Sequence, residues 1–156
     1  MSESQSESNL ESKPAIKVVL DTNVFVSSLI GGKGNCAAII KLVVTQKLQL
    51  YYSAEILAEC KRVFDYARLA FTARQTKPLL NIILNQGIIF EPEKSAIKIN
   101  DEDDRAFYDA AKQSDSLLIT GNLKHYPKED FIINPADFLG KHFPEHLVKP
   151  KIKSKA

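Results

Sequence analysis

The segment Lys17-Val-Val-Leu-Asp-Thr-Asn-Val-Phe-Val26 constrains the fold of this chain more than any other. A short continuous apolar run closed by a polar turn reads as a strand buried on both faces, as in a parallel sheet. Asp21 then falls at the carboxyl end of that strand, where open α/β sheets place their ligands. A carboxylate so near a core strand costs several kcal/mol unless it is paired or binds a cation. Two readings compete. In one, Asp21 caps the following helix, with Thr22 and Asn23 as turn formers. In the other it is a metal ligand, and its partners must come from elsewhere in the chain.

The rest of the chain alternates in the manner of an α/β protein. Further strands are expected at Leu48–Tyr52, Ile88–Phe90, Ser116–Thr120 and Phe131–Ile133. A helix from Thr22 to Ile30 stops at Gly31-Gly32-Lys33-Gly34. That glycine cluster lacks the spacing and the Lys-Ser/Thr ending of a phosphate loop, so helix termination explains it better. Asn35 is expected to cap a helix to about Gln46, with Ala37, Ile40, Val43 and Val44 on one face. Ser53 caps a helix from Ala54 to about Arg68 that buries Ile56, Leu57, Cys60, Val63 and Phe64. Residues 72–86 form another, capped by Thr72 or Thr76 and stopped by Gly87, with Pro78 marking a first turn or a kink. Asn134-Pro135 is a cap followed by a first-turn proline, opening a short helix through Leu139. These elements point to a three-layer α/β/α sandwich around a mainly parallel sheet.

In that fold several oxygen-bearing side chains converge at one sheet edge. At 100° per residue, Glu59 falls on the border of its helix's apolar stripe, whereas Glu55 falls further toward solvent. In Asp101-Glu-Asp-Asp-Arg-Ala-Phe-Tyr-Asp-Ala-Ala111, acids crowd a first helical turn. They favour the helix dipole there, but four in a row also repel one another. Asp103 and Asp104 flank the face holding Phe107, Ala110 and Ala111, so part of this charge faces inward and wants a cation. Asn122 ends the fourth strand as Asp21 ends the first. Three carboxylates (Asp21, Glu59, Asp104) with one amide suit Mg²⁺ or Mn²⁺ rather than zinc. Such a cluster fits metal-assisted attack of water on a phosphodiester.

Composition sets outer bounds. The chain has 156 residues, enough for one domain with a proper core, and its 26% charged content is ordinary for a soluble protein. Residues 1–14 form a Ser/Glu-rich tail that reads as disordered, and no stretch has the length of a membrane span. The body, 15–140, is electrically neutral, and residues 141–156 form a basic tail. Cys36 and Cys60 share no metal-type spacing, which fits a reduced, cytoplasmic protein. His142 and His146, four apart in the basic tail, read as solvated.

The chain resembles the PIN-domain family, and in particular its branch of toxin components of toxin–antitoxin systems, the VapC-like ribonucleases. The resemblance rests on Val-Leu-Asp-Thr-Asn-Val at 19–24, Ser-Ala-Glu-Ile-Leu-Ala-Glu at 53–59 and Asp-Glu-Asp-Asp-Arg at 101–105. Leu-Ile-Thr-Gly-Asn at 118–122 and Asn-Pro-Ala-Asp-Phe-Leu at 134–139 complete it. It implies a metal-dependent endoribonuclease that is paired with an antitoxin protein and acts as a homodimer. Asp21, Glu59 and Asp104 match the family's acids as catalytic residues and metal ligands. Asn122 stands where many members have a fourth Asp, which removes one negative charge and should weaken or reshape metal binding. Thr22, Asn23 and Thr120 are then expected to fix ligand geometry by hydrogen bonding, with Asp101 and Asp103 as outer substitutes. Lys124 and His125 are candidate RNA-phosphate contacts.

Two other readings remain open at this point. A PIN-like fold with negligible catalysis would serve as an RNA- or protein-binding module, a reading that Asn122 and the neutral body favour. A phosphatase of the haloacid dehalogenase type would use Asp21 as nucleophile, but its chemistry needs an acid two residues on, and position 23 is Asn.

Overall fold

The computed structural model describes residues 14–30, 32–67 and 71–148. The tail at 1–13 and the end at 149–156 lie outside these residues, as does the expected helix end at Arg68. β1 (Ile16–Leu20) is the central strand of a five-stranded sheet ordered β3-β2-β1-β4-β5, in which every pairing is parallel. β2 (Leu48–Tyr52) and β4 (Leu117–Ile119) flank it, and β3 (Ile88–Ile89) and β5 (Ile132–Ile133) form the edges. Val18, Val19 and Leu20 are buried on both faces, which is why β1 reads as an unbroken apolar run rather than an alternating one.

Among the described residues six α-helices complete the layers: α1 (Thr22–Leu29), α2 (Asn35–Val44), α3 (Ala54–Ala67), α4 (Ala73–Gln86), α5 (Arg105–Ser114) and α6 (Pro135–His142). The strand order runs outward one way through β2 and β3, then returns to the other side of β1 for β4 and β5. Right-handed crossovers therefore lay the helices of the first half on one face and α5 on the other. α5 packs on β1, β2 and β4, while α1 to α4 pack among themselves. The reversal creates a topological switch point between β1 and β4, the place where such sheets bind ligands. Leu20 pairs with Ile119, so Asp21 and Thr120 leave the sheet side by side at that point.

Several helix ends differ from expectation. Gly34, not Asn35, is the cap of α2, because the Asn35 side chain is used elsewhere and accepts from the Val148 amide at 2.8 Å. α2 buries Ile39, Ile40, Leu42 and Val43, whereas Val44 is 45% exposed at the helix end. α3 buries Ile56, Cys60 and Phe64 as expected, with Leu57 and Val63 only half-buried. Thr72 begins α4 through a reciprocal capping box with Gln75, and Pro78 lies inside the helix rather than in its first turn. Asn134 caps α6 by accepting from Asp137 N at 2.7 Å. The fold also runs past residue 140: α6 reaches His142, and Phe143 and Leu147 pack against the core.

Gly87 ends α4 for a steric reason. A Cβ there would lie 2.6 Å from the Ile83 carbonyl oxygen and 2.7 Å from the Tyr52 ring. Its φ of −87° is open to any residue, so close approach and not backbone freedom selects glycine. Gly87→Ala should therefore destabilise the fold by about 1–3 kcal/mol, the usual cost of overpacking, read as a lower urea midpoint at unchanged slope.

Candidate active site

Asp21 continues the β1–β4 ladder, donating its amide to Ile119 O at 3.0 Å, and its extended backbone then starts α1. Its side chain makes no capping bond to α1. Instead Oδ2 accepts from Thr120 Oγ1 at 2.8 Å and from the Tyr126 hydroxyl at 2.9 Å. The residue is only 6% exposed. The capping reading of Asp21 thus fails, and the carboxylate is held in place by two charge-assisted bonds.

Thr120 can serve Asp21 because its other valences are filled. Its hydroxyl oxygen accepts from Asn122 N at 2.9 Å and from Asn23 Nδ2 at 3.4 Å. A hydroxyl has one proton to give, and with both acceptor positions used that proton points at Asp21. Asn23 closes the loop by accepting from Gly121 N at 2.9 Å, joining the start of α1 to the end of β4. Thr22 turns the other way, and its Oγ1 lies 3.6 Å from Cys60 Sγ. Burial, followed by the charges of Asp21 and Glu59, pushes the Cys60 thiol up to about 12, so it is a neutral core group.

Asp104 comes from the opposite side, at the junction between a 3-10 turn (Glu102–Asp104) and α5. Its side chain is 15% exposed, and His125 Nδ1 lies 3.5 Å from Oδ2. That contact is too long for a hydrogen bond, and Oδ2 is buried without a hydrogen-bond partner among the described residues. Burial first, then the charges of Asp21, Asp101 and Asp103, push the Asp104 carboxyl up to about 6 against the opposing His125. Burial first, then the charges of Asp21 and Asp104, raise the Tyr126 phenol, which stays a donor to Asp21.

The remaining expected residues sit further out. Asp101 caps the 3-10 turn by accepting from Asp103 N at 3.0 Å. Asp103, 59% exposed, pairs with Arg62 at 3.2 Å. Arg62 also holds Glu59 on its own helix, so one guanidinium ties α3 to the acid-rich turn. Asn122, Lys124 and His125 are exposed, lining a cleft of about 490 Å³ with Gly121 and Asn134. Among the described residues, no three His, Cys, Asp or Glu side chains stand close enough to enclose one metal ion. The donor set nevertheless fits a hard divalent cation. Asp21 and Asp104 supply oxygens at the switch point, and the buried Asp104 Oδ2 has no hydrogen-bond donor, only the His125 ring 3.5 Å away.

Two residues escaped the sequence reading. Tyr126 lies in an irregular stretch with no periodicity to orient it. Only the 3-10 turn Leu123–His125 swings it under Asp21. Arg62 carried a signal, being three residues after Glu59 on a helix.

The chain belongs to the PIN-domain family, whose sequence profile matches residues 17–124. It is 33% identical over 113 residues to the uncharacterized protein MJ1680 of Methanocaldococcus jannaschii, across 70% of this chain and 73% of that protein. Two solved structures share the fold. One is a chain of VapBC2 from Rickettsia felis bound to a DNA fragment from their promoter, with 18% identity and a TM-score of 0.51, covering 76% of this chain and 97% of that one. The other is PAE2754 from Pyrobaculum aerophilum, with 13% identity and a TM-score of 0.54, covering 83% of this chain and 92% of that one. No helix among the described residues is long and apolar enough to cross a membrane.

Asp104 makes the metal-free protein sensitive to pH in a defined direction. Its native pKa of about 6 lies above the unfolded value of 3.8, so the native state binds the proton more tightly. Its contribution therefore falls as pH rises from about 4 to 6. Melting in EDTA across this range should show less loss with rising pH in Asp104→Asn than in wild type. Equal pH slopes would contradict the assignment.

Proposed function

We propose that this protein is a divalent-metal-dependent endoribonuclease, using Mg²⁺ or Mn²⁺, and the toxin component of a toxin–antitoxin pair. The observation that carries this is the buried, unpartnered Oδ2 of Asp104 facing the Asp21 carboxylate at the switch point of the sheet. Asp21 and Asp104 are the residues that would hold the cation, and Glu59 would join them when released from Arg62. A bound divalent cation supplies Lewis-acid stabilisation of phosphate charge and activation of water. The chain's own contribution is orientation. Thr120 and Tyr126 fix Asp21, Asn23 fixes Thr120, and Lys124 and His125 in the neighbouring cleft offer donors to RNA phosphate. Membership of the family and the fold shared with the VapBC2 chain support the toxin reading, which brings with it an antitoxin protein as partner.

A second reading, a PIN-like binding module with negligible catalysis, is favoured by one observation. Glu59 is paired with Arg62 and Asn122 is exposed, so two of four expected groups stand apart from Asp21.

Degradation of a mixed RNA substrate with Mn²⁺, Mg²⁺ or EDTA separates the two. Cleavage should require metal and should fall at least about a hundredfold in Asp21→Asn, which retains the fold. Mn²⁺ should also raise the melting temperature of wild type and not of that variant. No cleavage and no metal-induced shift in wild type would favour the binding module.

A further inference from the structure

On the other flank of the first turn of α5 lies a second cleft, of about 250 Å³, bounded by the end of β2, the segment after β3 and α5 itself. Asp109 lines it and is 3% exposed. Its Oδ2 accepts from Ser95 N at 3.0 Å, but Oδ1 is buried with no hydrogen-bond partner among the described residues. Arg105, on the same wall, donates to Ser95 O at 2.9 Å and to Glu102 at 2.5 Å, and its charge is felt by Asp109 although it makes no hydrogen bond to it. Glu55 and Glu91 add acceptors at the rim, opposed by Lys94. A buried carboxylate oxygen without a hydrogen bond calls for a donor, and the three acids of the lining outnumber its two cations, which disfavours phosphate. The cleft is smaller than a site for a drug-sized molecule.

We propose that this cleft receives one base of the RNA substrate, with an exocyclic amino group donating to Asp109 Oδ1. The inference rests on the ribonuclease reading, because it assigns the two clefts complementary tasks. Gly121–His125, with its exposed cationic side chains, faces the backbone, and the acceptor-lined cleft across α5 reads a neutral base. A carboxylate accepting from the amino group of cytosine is one of the pairings by which proteins read bases. The same oxygen offers nothing to the carbonyl O4 of uracil.

The test is binding by the full chain in EDTA, where cleavage is stopped. The probes are labelled oligouridine and the same oligomer carrying a single internal cytidine or adenosine. Wild type should bind the amino-bearing oligomers roughly tenfold more tightly. Asp109→Asn keeps the size of the side chain but turns an amide donor into the cleft, and should abolish or invert that preference. Should Asp109→Asn fail to fold, the exposed rim variant Glu55→Arg, which brings an internal cation to Asp109, should also abolish it. A wild type that binds all oligomers equally, binds none, or keeps its preference in a folded Asp109→Asn variant would overturn the proposal. Metal-dependent cleavage is scored separately. Cleavage without base selectivity leaves the ribonuclease standing and removes the cleft, whereas selective binding without cleavage does the reverse.

Discussion

The hydrogen bond from Thr120 to Asp21 is the contact on which the site depends, and the parallel register of β1 and β4 makes it possible. Because Leu20 pairs with Ile119, the first polar residue after each strand emerges beside the other. Neither strand could shift by a residue without turning Val18, Val19 and Leu20 or Leu118 and Ile119 out of their packing. Core burial thus sets the position of a carboxylate that would otherwise be costly to bury. Asn23 and Gly121 then lock the two loop starts together, so the first turn of α1 and the exit of β4 behave as one piece.

Around this pair the charge is deliberately unbalanced. Asp21 has two donors, whereas Asp104 has no hydrogen bond to its buried oxygen, only the His125 imidazole 3.5 Å away, and its carboxyl is pushed up to about 6. Glu59 and Asp103 are satisfied by Arg62 instead. Replacing Asp104 by an apolar group would relieve its desolvation, yet a folded protein that keeps such a group keeps it against stability. That cost is the expected signature of a functional carboxylate. A cation between Asp21 and Asp104 would remove it at a stroke.

What was legible in the sequence follows from which forces are local. The five strands and the ends of β1 and β4 could be read because apolar runs and polar stops are local signals, and they brought Asp21, Thr120 and Asp104 to the same edge. Asn35 misled because a good cap residue was taken by a distant partner, Val148, and glycine served at the cap instead. Val44 misled because the expected stripe ran past the place where the helix stops touching the core. Asp103 and Asp104 looked equivalent on a helical wheel. Both lie in the 3-10 turn Glu102–Asp104, and there one faces Arg62 in solvent while the other faces the site. Tyr126, buried under Asp21, had no periodic signal.

The departure at Asn122 takes on a physical meaning from this arrangement. An Asp there would add a negative charge two residues beyond Thr120, beside a site where burial and the charges of Asp21, Asp101 and Asp103 already push the Asp104 carboxyl up. In the metal-free state that extra charge would raise the cost of the site further, by the same like-charge repulsion. Asparagine avoids this while its backbone amide still saturates Thr120, the bond that aims the hydroxyl at Asp21. Asparagine therefore leaves the support of Asp21 intact, and in the metal-dependent reading proposed above the missing carboxylate would weaken the attraction for a cation.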